Sequence, residues 1–153
     1  MAVKMNQVKA ALEAEEPKYD EAAKLGAGAL PHLKKLVAGD DPLIAAKATF
    51  LAGLIDAEGS GDVVALAAQR DEVVIRVAAA NSAANVTDAD STLFEQLLSD
   101  NDVGVRKAAV KSIGSADRGD LKPLVQELAR GDTAEPIRDL AAATAKSLKK
   151  PKK

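Results

Sequence analysis

The sequence predicts an all-α fold, a solenoid of about five antiparallel helix hairpins, on three observations. The 153-residue chain repeats one short segment four times. Apolar residues before and within these segments recur at helical spacing. The chain is rich in Ala, the residue with the best helix propensity, and only 2% of it is aromatic. Thin layers of Leu, Val, Ile and Ala between closely packed helices are therefore the expected core.

The repeat is anchored by one aliphatic residue in each copy. The anchors are Ile44, Ile75, Val105 and Ile137, separated by 31, 30 and 32 positions. An amphipathic run and then an acidic turn precede each anchor; the turns are residues 39–42, 70–71, 99–102 and 131–133. Each copy therefore predicts a helix A, a tight turn, a helix B and a linker. One hairpin cannot bury its own apolar face, so stacked hairpins must share a continuous core.

The turns carry residues typical of helix ends. Asp41 followed by Pro42 is an N-cap with Pro at the first helical position. We expect Asp71 and Asp102 to cap the B helices of the next two repeats. Gly39 and Gly131 follow A helices, where a left-handed residue is favoured.

The repeats define one domain, residues 1–148, followed by a basic tail at 149–153. Repeats are expected at residues 26–55, 59–86, 89–115 and 118–148. Residues 1–25 predict a degenerate hairpin that caps the stack, because terminal repeats must keep one face wettable. Its helices are expected from Val3 to Glu13 and from Pro17 to Leu25, with Gly26 ending the second.

Composition excludes several classes of protein. An apolar fraction of 47% is too high for a disordered chain, and no apolar run is long enough to predict a membrane span. Without Cys there is no disulfide and no thiolate metal site, and with His32 as the single histidine a zinc site is not expected. His32 itself fits a solvent-facing or capping role. No nucleophile–base pair is visible, so we expect neither catalysis nor a cofactor.

Charge argues against nucleic-acid binding. The net charge is −2, and five lysines lie in the last eight residues. Without them, residues 1–145 carry a net charge of −7. An acidic body poor in aromatic residues lacks the groove that tracks phosphates and the platforms that stack bases.

The repeats resemble HEAT repeats, particularly the short HEAT-like or phycobilisome-lyase-type kind. The resemblance covers about residues 28–148 and rests on a turn aspartate followed by hydrophobic-Arg-x-x-Ala. The matching sets are Asp71/Ile75/Arg76/Ala79, Asp102/Val105/Arg106/Ala109 and Asp132/Ile137/Arg138/Ala141. The first repeat departs, with Ala45 in place of Arg, and the fourth has extra turn residues at 133–136.

The resemblance implies a right-handed superhelix whose stacked repeats are bridged by an Asp–Arg ladder. The ladder residues would be Asp71, Arg76, Asp102, Arg106, Asp132 and Arg138. The alternative is that the arginines form a functional basic stripe. We favour the ladder.

The outward side of the B helices, which lines the concave face in HEAT-like arrays, is the predicted binding surface. Helical spacing places Phe50, Asn81 and Lys111 in one column, with Lys107 and Lys146 nearby. Phe50 is apolar where water is expected, and Asn81 is a poor helix former. Phe50 packing against a neighbouring hairpin is an equally good interpretation.

The functional prediction is a non-catalytic scaffold or adaptor that binds a protein partner on the concave face. The alternative is an accessory or lyase-like protein acting on a chromophore-bearing or otherwise modified partner protein, and nucleic-acid binding ranks below both. Residues 1–12 lack a continuous apolar core, so no secretory signal is expected. We therefore expect a cytoplasmic monomer that does not enter membranes.

Overall fold

The computed structural model describes residues 2–149, and every regular element in that range is a helix, which confirms the all-α prediction. The α-helices are α1 (Met5–Glu13), α2 (Tyr19–Ala22), α3 (Leu30–Val37), α4 (Pro42–Ile55), α5 (Ser60–Ala68), α6 (Val73–Ala83), α7 (Ser91–Leu98), α8 (Val103–Ser115), α9 (Lys122–Gly131) and α10 (Glu135–Ser147). Two 3₁₀ segments, Ala23–Ala29 and Gly119–Leu121, precede α3 and α9. Of the predicted basic tail, residues 150–153 lie outside the described residues.

The helices lie in two layers. Layer A holds α3, α5, α7 and α9, each packed beside the next, and layer B holds α4, α6, α8 and α10 in the same order. Each helix of layer A also packs on the layer B helix that follows it in the chain. At the N-terminal end α1 packs on α3 and α4, and α2 packs on α4. No helix among residues 2–149 is both long and apolar enough to cross a membrane.

Small residues let the helices of layer B approach one another closely. A methyl group added to Gly53 of α4 would lie 2.9 Å from the Ser82 Cβ of α6. The same construction at Gly114 of α8 comes within 3.1 Å of Thr144 in α10. Buried alanines line the same helices: Ala45, Ala48, Ala52, Ala79, Ala83, Ala109 and Ala141. The scarcity of aromatic residues therefore reflects helix axes too close together for large rings.

Two of the three predicted B-helix caps are present. The Asp41 carboxylate accepts hydrogen bonds from the first backbone N–H groups of α4, and Asp102 does the same for α8. The prediction for Asp71 is wrong. The N-cap of α6 is Glu72, whose side chain makes no capping bond. Relative to its anchor, α6 begins where α4 and α8 do, so Glu72 holds the position of Asp41 and Asp102, three residues before the anchor, and Asp71 lies one residue too early to cap.

The left-handed positions also differ from the prediction. Gly39 and Gly131 do not have positive φ, because α3 ends in right-handed backbone at Ala38 and α9 continues through Gly131 into an extended residue. Positive φ occurs instead in the segments that lead into layer A helices, at Gly26, Asp56, Gly59 and Asp117. Gly26, the predicted end of the second helix, has φ 70° inside the 3₁₀ segment. The sharp reversals are therefore in the linkers and not in the acidic turns.

Candidate functional site

Two arginine–aspartate pairs connect layer B helices to later turns along one edge of the fold. Arg106 of α8 donates from Nε and Nη2 to the Asp132 carboxylate at 2.7 and 3.0 Å. Arg76 of α6 makes the same pair of bonds to Asp100 at 2.9 and 3.3 Å. Each guanidinium therefore links a layer B helix to the turn before the next layer B helix, and we call these two pairs the turn ladder.

The structure changes which acids serve the turn ladder. Asp71 offers only its backbone carbonyl, which accepts from Arg76 Nη1 at 2.6 Å, and the Asp102 side chain caps α8. The carboxylate that pairs with Arg76 belongs to Asp100, a residue that sequence reasoning missed. Its signal was position: Asp100 and Asp132 each lie five residues before the anchor of their repeat.

The same position explains the repeat that departs from the pattern. Arg70 lies five residues before its anchor, Ile75, at the position where the later repeats have the ladder aspartate. The preceding repeat is the one that has Ala45 in place of the ladder arginine. Arg70 Nη1 donates backwards to the carbonyl oxygens of Val37 and Gly39 at 2.9 and 3.1 Å. The turns before α4 and α6 are therefore also linked, but here the guanidinium belongs to the later turn.

Asp132 is the most enclosed acid of the turn ladder. Its side chain is 3% exposed and that of Arg106 is 12% exposed. Burial acts to raise the pKa of Asp132, but hydrogen bonds from Arg106 and the Ala134 backbone N–H, with the charges of Arg106 and Arg138, hold the pKa below its ordinary value. The carboxylate is therefore charged at neutral pH and binds the guanidinium in its ionised form.

A second set of carboxylates connects the linkers at the opposite edge. Asp56 accepts from the backbone N–H and the hydroxyl of Thr87 at 2.8 and 2.9 Å. Asp88 accepts from the backbone N–H groups of Gly59 and Gly61 at 3.2 and 2.9 Å. We call these bonds the linker ladder. The turns and the linkers are thus occupied by structural contacts, and the outward side of layer B carries exposed side chains.

We define the outer face as the exposed or half-exposed side chains on the outward side of layer B. Its members are Leu43, Phe50, Leu54, Val74, Asn81, Lys107, Lys111 and Lys146. Three of them are aliphatic and strongly exposed: Leu43 at 60%, Leu54 at 40% and Val74 at 49%. Leu43 and Phe50 are separated by two helical turns on α4, as are Val74 and Asn81 on α6.

Phe50 does not stand free as a contact residue. It is half-buried, and its ring meets the Tyr19 ring of α2 edge to face, with the centroids 4.8 Å apart. The alternative interpretation of Phe50, packing against a neighbouring hairpin, therefore describes it better. Sequence reasoning overlooked Leu43, Leu54 and Val74, although their spacing from Phe50 and Asn81 could have identified them.

The lysines and Asn81 form the polar part of the outer face. Asn81, Lys107, Lys111 and Lys146 all have exposed side chains, and no salt bridge within residues 2–149 involves these lysines. The outer face is thus aliphatic on α4 and α6 and basic on α8, whereas α10 presents Lys146 together with the exposed Asp139, which holds the repeat position of Lys107. Such a division suits a ligand that offers apolar surface at one end and negative charge at the other.

Other polar features of the chain are explained by local structure. His32 Nε2 donates to the Val3 carbonyl oxygen at 2.8 Å and ties the N-terminal segment to α3. An open groove of about 730 Å³ lies beside the turn ladder, where Leu98, Leu124 and Leu128 meet Glu95 and Glu127. Among residues 2–149, no group of three or more His, Asp and Glu side chains is arranged to hold a metal ion.

Comparisons with known proteins add no relative to this description. No family model matches the chain. Comparison with curated proteins gives no match, and comparison with solved structures gives none either.

Proposed function

We propose that the chain is a HEAT-like solenoid, a right-handed stack of helix hairpins, that works as a non-catalytic scaffold and binds a protein partner on its outer face. The observation that carries the proposal is the exposure of Leu43, Leu54 and Val74 on one side of layer B. Aliphatic side chains exposed together cost free energy in water, and covering them with a partner recovers it.

The repeating pattern of contacts supports the solenoid. Each layer B helix packs on the next, and the bonds from Arg76 and Arg106 recur with the spacing of the sequence repeat. A stack fastened at both edges presents a continuous, preorganised surface, which lowers the entropic cost of binding.

A protein ligand fits the outer face better than a nucleic acid. Its basic part consists of three lysines on a chain whose residues 1–145 are acidic overall. Phe50 and Tyr19 are packed on each other, so neither ring is a free platform for a base. The exposed aliphatic residues match apolar side chains of a protein segment.

The proposal is tested by site-specific photo-crosslinking in cells of the natural host. A photoreactive amino acid replaces Asn81 at the centre of the outer face, and in a matched control it replaces Glu95, exposed on layer A. We expect a discrete adduct from position 81 and none from position 95. Adding Leu54→Ser and Val74→Ser should remove the adduct. Equal labelling from both positions, or labelling unaffected by the serine substitutions, would contradict binding at the outer face.

A further inference from the structure

Arg138 of α10 holds the repeat position of Arg76 and Arg106 but belongs to neither pair of the turn ladder. In each of Arg76, Arg106 and Arg138, Nη1 donates to a backbone carbonyl of the turn before its own helix, at 2.6 to 3.0 Å. In the first two, this bond orients Nε and Nη2 toward the aspartate of the next turn. Within residues 2–149 no acidic side chain pairs with Arg138. Within the same residues its Nε and Nη2 make no hydrogen bond, so these two donors can bind a carboxylate from another chain.

The surface around Arg138 has the other features of a contact surface between repeats that no further repeat covers. Ala142 is exposed, although Thr49, Ala80 and Val110 at the same repeat position are buried by the next hairpin. A groove of about 280 Å³ between α9 and α10 has Ala129, Ala142 and Ala145 among its lining residues. Lys122, Arg130 and Lys146 also line it, and no acid from residues 2–149 does so. We call this surface, with Arg138, the C-terminal end.

The N-terminal end has the complementary character. The turn between α1 and α2 holds Glu15 and Glu16, and Glu13, Asp20 and Glu21 flank it. All five are exposed, and with Lys18 they give residues 13–21 a net charge of −4. A groove of about 370 Å³ between α1 and α2 has apolar side chains, among them Ala11, Ala14 and Leu25, beside Glu16 and Glu21.

The two ends correspond in position as well as in charge. Because α1 packs on α3 and α2 on α4, the 15–16 turn belongs to the same edge as the turns that hold Asp100 and Asp132. If a second copy were stacked in the sense of the repeats, that turn would face Arg138. The apolar groove of each end would then be covered by the hairpin of the other copy.

We propose that copies of this chain associate head to tail, with Arg138 of one copy binding the carboxylates of Glu15 and Glu16 in the next. The contact joins two different surfaces, so it extends into open chains of copies and does not close as a symmetric dimer. It differs from the monomer expected from the sequence, and it leaves the outer face free except at Lys146, which lines the groove of the C-terminal end. Since opposite charges at exposed rims drive it, it weakens as salt screens them.

The test is sedimentation velocity on the full chain over a range of concentrations up to about 1 mM. We expect the average sedimentation coefficient to rise with concentration at about 20 mM salt, and to rise much less at about 500 mM salt. Arg138→Glu and the double variant Glu15→Lys/Glu16→Lys should each weaken association at least about tenfold. Circular dichroism checks that both variants remain folded.

Mixing the two variants identifies the geometry. The Glu15→Lys/Glu16→Lys chain keeps an intact C-terminal end, and the Arg138→Glu chain keeps an intact N-terminal end. An equimolar mixture should therefore regain association that neither variant shows alone. A wild-type chain that stays monomeric at about 1 mM and low salt overturns the proposal. Self-association unchanged in the Glu15→Lys/Glu16→Lys chain overturns it too, because a contact between two C-terminal ends would behave in that way.

Discussion

Arg106 and Asp132 form a bidentate ion pair between α8 and the turn that precedes α10, with 2.7 Å between Nε and Oδ2. The residues are 26 positions apart in the chain, and both side chains are largely removed from water. Asp132 also accepts a hydrogen bond from the Ala134 backbone N–H at 2.8 Å. One carboxylate therefore stabilises its own turn and also binds α8 through Arg106. Such a pair is costly to break, because either partner left alone is a buried, unpaired charge.

Removing both arginines of the turn ladder should destabilise the fold. In the chain with Arg76→Gln and Arg106→Gln, Asp100 and Asp132 keep their charges without their guanidinium partners. We expect a loss of about 3–5 kcal/mol in the free energy of unfolding and a fall in Tm of about 10 °C. The matched control, Lys111→Gln with Arg130→Gln, removes two exposed positive charges and should shift Tm by less than about 2 °C. Thermal unfolding followed by circular dichroism gives both values, and an unchanged Tm in the first chain would refute the ladder.

Asp132 should make stability depend on acid pH. Although burial acts to raise the pKa of Asp132, the Arg106 pair and the Ala134 N–H lower it in the folded chain. The unfolded chain, with an Asp pKa of about 3.9, therefore binds more protons as the pH falls. The stabilisation is complete above that pH and is lost as the pH drops through the folded pKa. Urea unfolding should show that, from about pH 7 to about pH 3, the free energy of unfolding falls less in Asp132→Asn than in the wild type. If the free energies of unfolding of the two chains change in parallel with pH, the pKa of Asp132 is the same in the folded and the unfolded chain, which would contradict this prediction.

Asp56 should stabilise the linker edge in spite of its backbone conformation. It has φ 42°, a value that disfavours most side chains, and its carboxylate accepts two bonds from Thr87. We expect Asp56→Ala to cost about 1–3 kcal/mol, because it loses the bonds and keeps the strain. Asp56→Gly loses the bonds but relieves the strain, so it should cost less. Urea unfolding of both variants separates the two effects, and a larger loss for Asp56→Gly would contradict this explanation.

Gly53 and Gly131 should respond oppositely to Ala. At Gly53 the added methyl would meet the Ser82 Cβ at 2.9 Å, closer than carbon atoms pack, so α4 and α6 must separate. We expect a loss of about 1–3 kcal/mol. At Gly131, in the last turn of α9, no atom outside its immediate surroundings lies within 4 Å of the new methyl. Ala there should be neutral or stabilising by up to about 1 kcal/mol, through helix propensity and a less flexible unfolded chain. Chemical denaturation of the pair measures how closely the layer B helices pack.

The repeat spacing predicted which positions are buried, but it did not predict which acidic side chain of a turn points toward the neighbouring arginine. The anchors Ile75, Val105 and Ile137 are buried as their helical spacing requires. The ladder acids were misassigned because Asp100 and Asp102 share one turn, and spacing alone does not tell which one caps the helix and which one reaches the neighbouring hairpin. Counting back from the anchor distinguishes the two acids: Asp100 lies five residues before its anchor, as Asp132 does, and Asp102 lies three residues before it.

Irregular segments set the other limit on prediction. The contact between Phe50 and Tyr19 depends on where the short α2 helix places its first residue, and no repeat pattern governs that position. The left-handed residues Asp56 and Asp117 escaped prediction because Gly is the usual residue there. Asn81, Lys107, Lys111 and Lys146 are exposed, in keeping with their helical spacing, whereas the aliphatic half of the outer face became evident only from exposure.

The most direct test of the stacking on which this account depends is a double-mutant cycle on Arg106 and Asp132. The free energy of unfolding is measured by urea denaturation for the wild type, Arg106→Gln, Asp132→Asn and the double variant. If the pair fastens α8 to the following turn, the two substitutions are strongly non-additive, with a coupling energy of about 1–3 kcal/mol. A coupling within about 0.3 kcal/mol of zero, as for independent sites, would contradict the claim that this pair holds neighbouring hairpins together.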